Sequence, residues 1–423
     1  MAAKEEKMAV DAQGKHFDVI VAGAGYVGLS LAIAIAQARS SLSVAVVDAA
    51  PQDVWRNDGR AFAVAAAGVR MLEQFGCWDQ IAPKAQAMTD MVITDSRIAD
   101  PVRPVFLTFD GEVAPGEAFA YMVFNRDLNE ALRRRAGELG VAMFEGAGVT
   151  GFEAGACDNV VSLADGASLH ARLLVAADGV RSRLRDMAGI GTVHWDYGQS
   201  GIVCTVGHER PHGGRAEEHF LPSGPFAILP LAPDENGGNR SSIVWSEKTE
   251  EADRLVAEDE LVFEAELETR FGLKLGEIRV LSKPRAWPLS LTLARDFVRP
   301  RFALAGDAAH GIHPIAGQGL NLGLRDAAAL AEVVVEADRL GRDIGGLDVL
   351  ERYQQWRRFD TLRMGVTTDV LTRLFSNDIA PVRAVRDLGL GLVERMPRLK
   401  GFFIRQAAGL SPQAPRLLRG EAI

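Results

Sequence analysis

The sequence predicts an α/β domain on a buried parallel sheet, carrying an inserted α+β domain of mixed sheet and a helical C-terminal tail. Three observations predict it. FDVIVAG, at Phe17–Gly23, is the unbroken apolar run that a strand covered on both faces requires. A helical stretch, Ala24–Ala38, and a second buried run, SVAVVD at Ser43–Asp48, complete a βαβ unit of about 30 residues. Between Trp195 and Pro288 the pattern changes to short apolar runs separated by Pro- and Gly-rich turns.

The remaining elements follow in order. A helix is expected around Gly68–Phe75. Met88–Glu117 alternates more and carries several Pro and Gly, which suits an antiparallel excursion. Asn125–Leu139 reads as a helix with arginines on its outer face, and Val141–Thr150 and Leu173–Ala177 return to buried-strand character. Gly201–Val206, Phe226–Leu231 and Ser241–Trp245 are the short strands of the insertion, interrupted by one helix over Ala252–Phe271. Arg301 returns the chain to the first domain, and Asp326–Leu340 and Leu347–Phe375 read as long helices. The expected division is 17–87, 121–190 and 289–375 for the first domain, 88–120 and 191–288 for the insertion, and 376–423 for the tail.

Composition narrows the classes. The chain has 423 residues, 48% hydrophobic and 24% charged, which is ordinary for a globular protein. A net charge of -9 argues against a nucleic-acid binder. Cys77, Cys157 and Cys204 lie far apart and form no CxxC pair, which suits a reducing cytoplasm. The first residues lack an apolar core of the secretory kind, and Leu29–Ala36 is too short to span a bilayer.

Three glycine-marked motifs carry chemistry. GAGYVG places Gly23, Gly25 and Gly28 after a strand and at the opening of a helix, with Asp48 ending the next strand about 20 residues on. In this Rossmann-like setting the first glycine makes the turn and the second admits a pyrophosphate. The third lets the helix pack closely, and the acid takes ribose hydroxyls. LLVAADGVRSRLR, Leu173–Arg185, runs a buried strand into Asp178 and Gly179; alone it also reads as a plain strand-end turn before a basic helix. RFALAGDAAHGIHPIAGQGLNLGLRD, Arg301–Asp326, joins a strand to Asp307, a stiff Pro314, Gly317, Gly319 and a helix beginning near Leu320. Such a helix N-terminus offers unpaired N–H groups and positive partial charge to a flat, partly anionic ligand. His310 and His313 lack a third ligand at suitable spacing, so no metal is expected.

The ordered set GAGYVG, ADGVRSRLR and GDAAHGIHPIAGQGLN resembles the single-component, FAD-dependent aromatic hydroxylases (group A flavoprotein monooxygenases). Within them it most resembles the hydroxylases of ubiquinone biosynthesis. Supporting segments are Asp58–Trp78, Val123–Ala136, Asp196–Val203, Gly224–Leu231, Tyr353–Asp360 and Arg373–Leu390, and the match covers Phe17–Gly420. The resemblance implies that Gly23, Gly25 and Gly28 cradle the FAD pyrophosphate and that Asp48 binds the adenosine ribose. It places Arg60 near the flavin and Arg126 at the phosphate or ribityl region. Asp178 and Gly179 would touch FAD and serve the nicotinamide cofactor, and Asp307 would hold the ribityl chain. Pro314, Gly317, Gln318, Gly319, Leu320 and Asn321 would lie beside the isoalloxazine.

The implied reaction is that of a monooxygenase. NAD(P)H reduces FAD, O2 adds to give a C4a-hydroperoxide, and OH passes to the ring of a polyprenylated phenol. The apolar strands Phe226–Leu231 and Gly201–Val206 are the expected pocket. Tyr197, Gln199 and His219 are the first polar groups to test as catalytic, with core or hinge roles equally open. Competing readings are a hydroxylase of a soluble aromatic acid, a prenyl-chain reductase, and a flavin-containing scaffold of a biosynthetic complex. The tail from Ile379 combines Arg383, Arg386, Arg395, Arg398, Lys400, Arg405, Arg416 and Arg419 with apolar residues. That pattern suits an otherwise cytoplasmic enzyme touching the inner membrane, and association with other ubiquinone-biosynthesis enzymes is compatible with it. The alternative is a tail docked on the first domain with solvated arginines.

Overall fold

The first apolar run becomes β1 (Lys15–Ala22), whose last four residues are buried. The structure, a computed structural model, describes residues 14–95, 105–110, 112–312, 318–375, 404–405 and 407–423. After β1 come α1 (Tyr26–Ala38) and β2 (Val44–Asp48), which pairs with β1 in parallel. Then follow β3 (Ala61–Ala65), α2 (Ala66–Gln74), β4 (Gln86–Met88), β5 (Asp90–Asp95), β6 (Val105–Asp110), β7 (Ala120–Phe124) and α3 (Asn125–Glu138). β8 (Ala142–Glu145), β9 (Val149–Ala154), β10 (Asn159–Leu163) and β11 (Ser168–Ala176) lead back to β1.

The insertion supplies β12 (Thr192–His208), β13 (Arg215–Leu221), β14 (Gly224–Leu231) and β15 (Asn239–Lys248). It continues with α4 (Thr249–Ala257), α5 (Glu260–Phe271), β16 (Ile278–Val280) and β17 (Arg285–Ala294). The chain closes through β18 (Val298–Arg299), β19 (Phe302–Leu304), β20 (His310–Gly311), α6 (Gln318–Arg339) and α7 (Leu347–Phe375).

Two large sheets organise these elements. The first runs β18-β19-β11-β1-β2-β8, with β10 and β9 joined to β11. Its β19-β11-β1-β2-β8 portion is parallel. α1 is buried along nearly its whole length and packs on α6 and α3, so its apolar residues surround it rather than form a stripe. The second sheet runs β20-β17-β12-β15-β14-β13-β5-β6 and is mixed, since β13 pairs with β5 in parallel and its other rungs are antiparallel. β3, β7 and β4 form a small third sheet between them.

The second sheet uses both faces. Ile202, Phe226 and Trp245 pack against Leu255 of α4 and Phe263 and Leu267 of α5. Gly201, Val203, Ala227 and Val244 turn the other way, toward β3 and β7. Pairing extends the strand expected at Gly201–Val206 to the whole of β12, because β15 and β17 flank it on either side. The single helix expected over Ala252–Phe271 is two. Glu258 ends one and Asp259 caps the next, accepting the Leu261 N–H at 3.0 Å. β17 also runs straight through residue 288, where the sequence placed the return to the first domain.

Candidate functional site

The strand order puts the three motifs side by side. β1 lies between β2 and β11, and β11 lies between β1 and β19. Ala22 pairs with Ala176, and Ala176 with Leu304, so all three strands end level. The Ala177 N–H donates to the Ala22 carbonyl at 2.8 Å, and the Ala305 N–H to the Ala176 carbonyl at 2.9 Å. Ligands of open α/β sheets bind beyond such C-terminal strand ends.

The first turn is shaped for close approach. Gly23 has φ +115°, and a Cβ there would stand 2.3 Å from the Ala177 carbonyl oxygen of the second motif. A Cβ on Gly28 would stand 2.0 Å from the Gly23 oxygen, so the helix cannot pack with any larger residue there. Around Gly25 a Cβ would meet nothing within 4 Å. Gly25 is the N-cap of α1, with no side-chain cap and no acid in the first turn. The helix N-terminus is therefore open to an anion from that side. Asp48 accepts the Ala24 N–H at 2.5 Å and the Ala50 N–H at 2.7 Å, which fixes its carboxylate at the end of β2.

A cleft of about 430 Å³ continues from Gly25 and Tyr26 past Gly179 to Asp307, Gly319 and Leu320. Among the described residues Asp307 receives no hydrogen bond, and burial pushes its carboxyl above the usual range. Burial, and then Asp307, also pushes the Tyr26 hydroxyl up, so it stays a donor. Asp178 turns back on its own loop, toward Ser182 and the N–H groups of Arg183 and Leu184; burial pushes its carboxyl up. Arg60 is held by Asp58 through bonds of 2.9 and 2.7 Å, and lies 5.6 Å from the Phe62 ring and 5.7 Å from the Trp287 ring. These bonds to Asp58 raise the guanidinium value further.

An apolar cavity of about 260 Å³ adjoins the cleft, and Arg60, Phe62 and Leu289 line both. β12, β14, β15 and β17 form one wall, with Val203, Ala227, Leu229, Val244 and Trp287; Met88, Phe119 and Ala120 form the other. Glu218 of β13 also enters it, a residue that sequence reasoning missed. Burial pushes its carboxyl up to about 7.

Of the remaining expected residues, Asn321 borders the cavity and the others fall elsewhere. The Asn321 side chain accepts the Ala65 N–H and donates to the Ala63 carbonyl, both at 2.9 Å, and so clasps α6 to β3. Arg126 lies in a separate surface cleft with Lys84 and Arg240, 5.1 Å from the Phe124 ring. Arg133 of α3 reaches the first turn instead, donating to the Ala24 carbonyl at 3.4 Å and pairing with Glu145. His219 Nδ1 stands 2.6 Å from Thr94 Oγ1, on the opposite face of β13 from the cavity. The Gln199 amide donates to the Ser223 carbonyl at 2.6 Å, and Tyr197 is half-buried beside a β-bulge of β12. Pro314, Gly317 and His313 lie outside the described residues, as does the side chain of Gln318.

Behind the third motif is a buried ionic network. Asp326 accepts from His310 Nε2 at 2.5 Å, from the Gly306 N–H at 2.9 Å and from Arg357 at 2.7 Å. Arg357 and Arg325 both bond Asp360. Burial opposes charge on His310, but the Asp326 carboxylate prevails and raises its value. His310 thus ties the turn of the third motif to α6. Among the described residues, His16, Asp158 and His170 bring ligand-type atoms within 4.8 Å of one another. His16 lies at the start of β1, at the opposite end of the strand from the cleft; His170 is hydrogen-bonded to Asp158 at 2.9 Å, and His16 stands 4.0 Å from the same carboxylate.

Comparison with known proteins agrees with this geometry. The FAD binding domain family matches residues 16–358. Ubiquinone hydroxylase UbiL of Rhodospirillum rubrum is 45% identical over 413 residues, covering 96% of this chain and 93% of that one. The 3-demethoxyubiquinol 3-hydroxylase of Escherichia coli is 32% identical, covering 93% and 98%. Among solved structures, p-nitrophenol 4-monooxygenase of Pseudomonas putida superposes with a TM-score of 0.76 at 21% identity, covering 94% of this chain and 98% of that one.

Proposed function

The chain belongs to the family of FAD-dependent hydroxylases of ubiquinone biosynthesis, and we propose that it hydroxylates a polyprenylated phenol whose ring lies in the apolar cavity between the second sheet and the small β3-β7-β4 sheet. The observation that carries this reading is the shared wall. Arg60, Phe62 and Leu289 line cleft and cavity alike, so a ring in one faces a flat cofactor in the other.

The residues fit FAD: Gly25, whose helix has no side-chain cap, and Asp307, which receives no hydrogen bond among the described residues, line one cleft, and the Asp48 carboxylate is held at the first turn. When bound, FAD supplies hydride acceptance from NAD(P)H and activation of O2. The chain does the rest. The α1 N-terminus and the Gly25 backbone hold the diphosphate, Asp48 the adenosine ribose and Asp307 the ribityl hydroxyls. Gly179, at the turn after β11, stands where the nicotinamide cofactor would be served. Gly319 and Leu320, at the start of α6, line the cleft, and N–H groups there would favour negative charge on a bound flavin ring. Val203, Ala227 and Leu229 keep water from the reacting ring.

A soluble aromatic acid fits less well. Among the described lining residues the cation is Arg60, already bound to Asp58, and Glu218 adds a second acid. Of the tail, 376–403 lies outside the described residues and holds Arg383, Arg386, Arg395, Arg398 and Lys400 against Asp378, Asp387 and Glu394. We propose that this segment meets an anionic lipid surface where such a substrate resides. Among the described residues no helix is long and apolar enough to cross a membrane.

The test is complementation. In a strain lacking its own ring hydroxylase, the chain is expected to restore ubiquinone by mass spectrometry. Ala227→Trp, which fills the cavity, is expected to lower kcat/KM at least about tenfold while the purified protein keeps its FAD. Unchanged turnover in that variant would place the ring elsewhere.

A further inference from the structure

The cavity holds one carboxyl that the reaction described so far does not use. Glu218 stands in mid-β13, only 4% exposed, on the same face as Ala216 and Phe220. Strand pairing sets Ala227 of β14 on one side of it and Ile93 of β5 on the other. Among the described residues its carboxyl has no hydrogen-bond partner, and burial is the whole cause of its raised value. A buried acid without a partner costs the fold stability, and such violations persist where function uses them. Of the charged groups on the surrounding elements, Arg60 is tied to Asp58, and Asp95 lies two residues beyond Ile93 on β5. β12, β14, β15 and β17 present only apolar residues and Ser246 to the cavity, and α6 presents Asn321.

We propose that Glu218 is a catalytic base that takes the proton from the phenolic hydroxyl of the ring in this cavity. The proposal rests on the reading of the cavity as the ring's pocket. The phenol O–H bond breaks and an O–H bond forms on the carboxylate. The electron pair stays on the ring oxygen and spreads to the ortho and para carbons. One of these carbons then forms its bond to the oxygen atom drawn from O2. The second oxygen leaves as water, with the two electrons that NAD(P)H supplies. The O–O bond breaks as the carbon–oxygen bond forms, the departing oxygen takes up the proton that the attacked carbon loses as aromaticity returns, and Glu218 gives its proton back to the ring oxygen. A neutral amide cannot make the first transfer. An apolar wall around a single carboxylate also favours a neutral phenol on entry over a substrate that is already charged.

The experiment compares purified holoenzyme with Glu218→Gln and Glu218→Asp. In the wild type, kcat is expected to fall as pH drops below about 7, where the carboxyl becomes protonated. Glu218→Gln is expected to lose that limb and to lower kcat roughly a hundredfold, with KM and FAD content changed by less than about threefold; Glu218→Asp is expected to recover part of kcat. A readout independent of turnover is the visible absorption of bound 4-nitrophenol. Wild type is expected to show the phenolate form at higher pH than Glu218→Gln does, because the neighbouring carboxylate opposes a second negative charge. A Gln variant with the wild-type pH limb, or with kcat within about threefold, overturns the base. A wild type that binds no phenol overturns the pocket itself, which is a separate failure.

Discussion

Glu217, Glu218 and His219 are consecutive in sequence and part company in space. Successive side chains of a strand point to opposite faces. Glu217 therefore pairs with Lys274, and His219 meets Thr94, while Glu218 enters the cavity between them. The sequence reading named His219, one residue from the group that faces the ring's pocket. A one-residue step is a change of face, and only the pairing of β13 with β5 and β14 decides which face is which. The glycines of the first motif were legible because their spacing is itself the geometry. Arg126 and Arg133 show the reverse, since both sit on α3 and only packing tells which guanidinium reaches the first turn. Burial gives Glu218 a measurable signature. Its carboxyl is raised in the fold, so its stabilising contribution is complete below the ordinary glutamate value and is lost as pH rises through about 7. Between about pH 5 and about pH 8, wild type is expected to lose about 2 to 3 kcal/mol more than Glu218→Gln, measured by urea unfolding. Parallel losses would mean that the carboxyl is solvated.

At the level of elements, the motifs work because β19, β11 and β1 are neighbours. Gly23 touches the second motif, and Val27, at the start of α1, sits where a Cβ on Gly306 of the third motif would fall. Gly23→Ala must push β1 away from β11. It is expected to weaken FAD binding at least about tenfold and to cost roughly 1 to 3 kcal/mol, read from flavin content and thermal unfolding. Full flavin occupancy at wild-type stability would show that the two turns tolerate separation. The βαβ unit, α7 and the buried strands were readable from apolar periodicity. The length of β12 and the break at Glu258 were not. Strand partners set the first, and a single capping aspartate the second, and neither interrupts the apolar pattern.

At the scale of the whole molecule, one chain builds a cleft at the strand ends of one sheet and an apolar cavity between another and the small β3-β7-β4 sheet. Charge and composition pointed to a globular enzyme, but the shared wall was invisible, because Arg60, Phe62 and Leu289 come from segments more than two hundred residues apart. The tail divides in two. Leu417 and Leu418 pack into the first core and Arg416 pairs with Glu332, so this end is docked as the alternative reading expected. The basic stretch before it is tested by replacing Arg383, Arg386, Arg395 and Arg398 with Glu. That variant is expected to lose sedimentation with anionic liposomes while retaining FAD and turnover of a short-chain phenol, since each basic residue near such a surface contributes about 1 kcal/mol. Equal sedimentation would remove the lipid contact. The adjacency of β1, β11 and β19 also has a consequence for biosynthesis. The chain is made from its N-terminus, and the turn carrying Asp307, after β19, emerges only after the entire insertion. A nascent chain must therefore hold its first two turns together without the third. Flavin uptake comes late in synthesis, and a ribosome that stalls within the insertion releases a product that cannot become yellow.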